Sequence, residues 1–100
     1  MSTGVLDEIA LKIEQAKGWK GLSYFQVVRY IPTEFICYEK KGIIFSRTIL
    51  WVDLDKLEEK IVVFFTGDKR IAETVRAVAA LHGMTCEETS RDYFPPSLFS

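Results

Sequence analysis

The sequence predicts one α+β domain: a mostly antiparallel sheet of four to five strands with two helices packed on one face. Three observations predict it. Residues 5–17 and 69–82 place their apolar side chains at helical spacing, and they lie near opposite ends of the chain. Between them run β-branched and aromatic segments joined by connections too short for parallel crossovers. A last short strand, Met84–Thr89, is expected after the second helix, which gives the order α-β-β-β-β-α-β.

The first helix is expected over Val5–Lys17. Val5, Leu6, Ile9, Ala10, Ile13 and Ala16 form one stripe, and Asp7, Lys12, Glu14 and Gln15 take the other side. Thr3 suits the N-cap, Asp7 and Glu8 suit the positive end of the helix dipole, and Gly18 suits the stop. Leu22–Ile31 reads as a strand that Pro32 ends, and Phe35–Glu39 as a second. Lys40, Lys41 and Gly42 make a tight turn into a third, Ile43–Val52.

Residues 53–60 are a polar connection in which Asp55 followed by Glu58 resembles a capping box. Ile61–Phe65 is apolar throughout, so it belongs inside the sheet rather than at an edge. Asp68 is the expected N-cap of the second helix, Lys69–His82, whose buried stripe is Ile71, Val75, Val78, Ala79 and His82; Gly83 closes it. Met84–Thr89 is the fifth strand, joined to the fourth by a right-handed crossover if the two are parallel neighbours. Residues 1–90 make the domain, and 91–100 form a tail containing aromatic residues and proline.

Thirteen basic residues face fourteen acidic ones, and a formal charge of -1 gives no bulk attraction to nucleic acid or to an anionic membrane. The start lacks the basic and apolar regions of a secretory leader, and no apolar run approaches the ~20 residues of a membrane span. A cytoplasmic location is therefore expected, with Cys37 and Cys86 reduced. The chain has no Asn and only Gln15 and Gln26, a depletion of labile amides that is a thermophile trend.

Catalysis, metals and cofactors find little support. His82 is the only histidine, and a helix C-terminus is a natural place for one without any chemistry. Cys86 follows it closely, but no helix N-terminus or basic neighbour activates the thiol, so a small enzyme using Cys86 ranks last among the readings. Cys37, His82 and Cys86 lack the close spacing of a zinc site. The acidic residues Asp53, Asp55, Glu58 and Glu59 lack the pattern of a calcium loop. No catalytic site, metal site or cofactor is expected.

Charge layout and strand faces say more. If the strands alternate in direction, Lys17, Trp19 and Lys20, the turn at Lys40 and Lys41, and the helix start at Lys69 and Arg70 fall at one end of the sheet. Glu34, Asp53, Asp55, Glu58 and Glu59 then fall at the other. Lysines on glycine turns beside a helix N-terminus and a tryptophan would suit a phosphate-bearing ligand or nucleic acid. The plainer account is that Asp68 balances Lys69 and Arg70.

On the first strand Leu22, Tyr24, Val28 and Tyr30 share a face with Gln26, opposite Phe25, Val27 and Ile31 with Ser23 and Arg29. On the third, Ile43, Phe45, Ile49 and Trp51 share a face with Arg47, opposite Ile44, Ser46, Thr48, Leu50 and Val52. Neither face is properly polar, yet two helices cover only one. The other would present Tyr24, Tyr30, Phe45 and Trp51, a composition typical of protein interfaces.

The tail adds Tyr93, Phe94, Leu98 and Phe99 around Pro95 and Pro96, too apolar for an ordinary disordered end. Burying each large apolar side chain contributes about 1.5–3 kcal/mol, and ordering the tail costs about 1 kcal/mol or more per residue. The balance is close, and the tail is expected to dock on its own sheet or on a second copy. The leading expectation is a small non-enzymatic interaction module, a homodimer or a subunit of a complex. The alternative is the phosphate or nucleic-acid binder.

Overall fold

The computed structural model describes residues 4–16, 23–43, 45–55, 57, 58 and 60–90. In chain order the elements are α1 (Gly4–Gln15), β1 (Tyr24–Ile31), β2 (Glu34–Lys41), β3 (Phe45–Leu54), β4 (Ile61–Thr66), α2 (Lys69–Leu81) and β5 (Thr85–Glu88). The predicted α+β class and element order hold. The strands form one sheet in the order β1-β2-β3-β4-β5; all neighbours are antiparallel except β4 and β5, which run parallel on either side of α2. The expected caps at Thr3 and Gly18, and also Ile44 and Glu59, fall outside the described residues.

Local chemistry sets the element ends. Asp68 caps α2: its carboxylate accepts from the backbone N–H of Arg70 and Ile71, and Thr66 Oγ1 accepts from the Asp68 N–H. Gly83 at φ +69 ends the helix in the left-handed region, and Gly42 at φ +64 closes the β2–β3 hairpin. The strands reach Lys41 and begin again at Phe45, so Ile43 belongs to the turn and stands fully exposed instead of starting β3. Asp55 does act as a local cap, accepting from the N–H of Leu57 and Glu58, and Ile61 N–H closes the turn onto Glu58.

Both helices lie on one face and pack on each other. Val5, Leu6, Ile9 and Ile13 of α1 and Ile71, Val75, Val78 and Ala79 of α2 share a core with Phe25, Phe35, Cys37, Leu50, Val52, Leu54, Val62 and Phe64. In β4 this is clean alternation, with Val62, Phe64 and Thr66 pointing to the helices; in β2 Phe35, Cys37 and Glu39 do so, with Ile36 also buried on the other face. His82 leaves the expected stripe. It is the exposed C-cap residue of α2, and its Nε2 lies 3.3 Å from Glu8 Oε2 on α1.

Two bulges interrupt the ladders. Arg29 pairs with Phe35 and Ile31 with Glu34, which leaves Tyr30 as the extra residue of β1. Cys37 pairs with Leu50 and Tyr38 with Thr48, which leaves Ile49 as the extra residue of β3. The second bulge corrects the face expected for β3. Trp51 pairs with Ile36 on the side away from the helices, whereas Phe45 and Arg47 pair with Lys41 and Glu39 on the helix side. An extra residue reverses which face every preceding side chain occupies.

Candidate interaction face

The sheet face away from the helices is built from one residue in two on each strand, and register fixes its rows. Val28, Ile36, Trp51 and Phe65 stand side by side across β1, β2, β3 and β4. Since Phe64 pairs with Glu88 and Thr89 N–H continues the ladder to the Phe64 carbonyl, Thr89 ends the same row beyond β5. Tyr24, Tyr38, Val63 and Ile61 flank this row on the same face.

Exposure differs along the row. Ile36 is 1% exposed and Trp51 6%, although neither joins the helix-side core; Val28 is 40% and Tyr24 54% exposed. The Trp51 indole N–H donates to Glu34 Oε1 at 2.6 Å, giving the buried ring its polar partner. Of the expected interface residues, Tyr24 and Trp51 share this face and Phe45 takes the other. Tyr30 is described only as a backbone position in β1. Tyr93, Phe94, Leu98 and Phe99 lie outside the described residues.

β2 ends, and β4 exits, towards the same end of the sheet. Lys40 and Lys41 sit at the end of β2, where Lys41 pairs with Phe45. Thr66, just ahead of Lys69 and Arg70, pairs with Leu50, roughly 15 Å further along β3 at strand rise. Lys17, Trp19 and Lys20 lie outside the described residues. Glu34 and Asp53 pair directly at the opposite end.

A groove of about 360 Å³ opens at the start of α2, where Lys69 and Arg76 meet Asp68, Glu73 and Glu88. Some of its charges are already engaged. Arg76 binds Glu88 at 2.5 Å and stacks over the Phe64 ring at 5.4 Å, Arg70 lies 3.6 Å from Asp68, and Asp68 already accepts from the first helical N–H groups.

A buried polar cluster, which the strand patterns did not single out, ties β2 and β3 to the start of β1. Glu39, only 9% exposed, accepts from Ser23 Oγ at 2.8 Å and from Arg47 Nε at 2.8 Å. Burial alone pushes this carboxyl up, but the two hydrogen bonds and the Arg47 charge outweigh it and hold the group below its ordinary value of 4.5. A lowered folded-state value means stability that is present above the ordinary carboxyl range and is lost as pH falls through the folded one. Unfolding free energy is therefore expected to fall between pH 6 and pH 3. Arg47→Met should shrink that fall, as read by denaturant titration at the two pH values, and an unchanged difference would show that Glu39 carries none of it.

The two thiols are free. Cys37 and Cys86 stand on β2 and β5, three strand spacings or roughly 14 Å apart, beyond the reach of a disulfide. Burial, with the Glu14 charge, pushes Cys37 up to about 12. Burial also raises Cys86 against the lowering influence of Arg76, and its thiol donates to the Val75 carbonyl at 3.8 Å. Both shifts work against thiolate chemistry near neutral pH. Among the described residues, no three His, Cys, Asp or Glu side chains converge on one point, and no helix is long and apolar enough to cross a membrane.

No family model, curated protein or solved structure matches the chain.

Proposed function

We propose that the chain is a non-enzymatic interaction module. It binds a protein surface, in the first instance a second copy of itself, through the β1 side of the sheet face away from the helices. The observation that carries this reading is the apolar row Val28–Ile36–Trp51–Phe65, whose β1 end stays exposed together with Tyr24. Aromatic and aliphatic side chains on an ordered sheet lose little entropy on contact, and such residues dominate binding energy at interfaces. The β1 edge itself is guarded. Glu14 Oε2 accepts from the Val27 backbone N–H at 3.4 Å, and Arg29 is ion-paired with Asp7 of α1. Contact through the face is therefore favoured over strand addition at the edge.

Solution mass by light scattering, over a hundredfold range of concentration, tests the reading. The chain is expected to associate, and Val28→Asp to weaken the association at least tenfold, about 1.4 kcal/mol. Val28 lies outside the helix-side core, so the fold should survive the change. A monomer at every concentration, unaltered by Val28→Asp, would remove the self-association.

A further inference from the structure

The geometry points to the chain's own residues 91–100 as the occupant of the middle of this face. They cross the row in cis from β5 towards β1 and place Phe94 on Ile36 and Trp51. This deepens the reading of the face as a contact surface, because the surface a partner meets then combines Tyr24 and Val28 with the tail.

Three observations carry it. Ile36 and Trp51 are almost fully buried on the side away from both helices, so something other than α1 and α2 shields them. The chain leaves β5 from the row itself, with Thr89 beside Phe65. The length and chemistry fit. The five residue steps from Thr89 to Phe94 can span roughly 16 Å extended, while β5 to β2 is three strand spacings, roughly 14 Å. Pro95 and Pro96 follow Phe94 directly and keep the backbone extended without needing a ladder partner, which suits a chain laid over a sheet. Leu98 and Phe99 then reach the β1 border beside Val28.

The test uses the full chain with Trp19→Phe, which leaves Trp51 as the only tryptophan, and reads acrylamide quenching of its emission. Phe94→Ser together with Phe99→Ser is expected to raise the quenching constant at least threefold and to shift emission to the red. A synthetic peptide of residues 91–100, added to the substituted chain, should restore protection. Far-UV circular dichroism and the melting curve check that the substituted chain is folded, and restoration by the peptide answers the case in which it is loosened. Unchanged quenching overturns the inference, and it leaves the interaction reading standing if Val28→Asp still alters the mass. Protection of Trp51 that disappears on dilution, in step with the dimer, also overturns it and assigns the tail to a second copy.

Discussion

Phe64→Ala is expected to cost about 3–5 kcal/mol, a large share of the ~5–15 kcal/mol that stabilises a domain of this size. The ring is fully buried. It stands in the helix-side row Arg29–Phe35–Val52–Phe64–Glu88, so its removal opens a void between β3 and β5 beneath α2. Strands hydrogen-bonded on both sides of β4 cannot close in to fill the void, and this rigidity places the cost towards the upper end. The Arg76 guanidinium also loses the ring face it covers, although its contact with Glu88 persists. Equilibrium denaturation, with the midpoint and slope read separately, gives the number. A loss below about 1 kcal/mol would mean that the β4–α2–β5 unit repacks freely and that this core is looser than its burial implies.

Much of the fold was legible because punctuation and periodicity agree. Asp68, Gly42 and Gly83 each stand where their special backbone or capping chemistry is used, and the apolar stripes of Val5–Ile13 and Ile71–Ala79 admit only a helix packed on one side. What escaped was the phase of β3. The run Ile49-Leu50-Trp51-Val52 is apolar on both faces, so alternation gives no warning of an extra residue there. The polar residues do carry the signal: Ser46 and Thr48 lie on the outer face at even positions and Asp53 at an odd one, which requires one inserted residue between them. The same bulge puts Arg47 opposite Glu39, so an arginine that looks misplaced in an apolar set is the partner of a buried carboxylate. The helical stripes of the core could be read from spacing, His82 apart, but not the strand residues beside the bulge such as Ile49. The outer face could be read only as an excess of aromatics, because its rows depend on register, and register is decided by packing across strands far apart in sequence.

Trp51→Ala is expected to cost about 3 kcal/mol or more, comparable to loss of a core aromatic although the ring lies on the face away from both helices. A tryptophan on a solvent-facing sheet surface would cost far less, because its ring would remain largely hydrated in the folded state. At 6% exposure the ring is desolvated, and truncation also deprives the Glu34 carboxylate of the indole N–H it accepts from at 2.6 Å. A double-mutant cycle separates the ring's own burial from its contact with the tail. Trp51→Ala and Phe94→Ser should be strongly non-additive, with a coupling of about 1 kcal/mol or more, because either change alone empties the same contact. Phe64→Ala and Phe94→Ser, on opposite faces of the sheet, should add within about 0.5 kcal/mol. Denaturant unfolding of the single and paired variants, all in the full-length chain, supplies every corner of both cycles. Additivity in the first cycle, with a large cost for Trp51→Ala alone, would show that Phe94 does not lie on Trp51. The shield over Trp51 would then have to be sought in another segment or in a second copy, which repeating the cycle at monomeric concentrations would reveal.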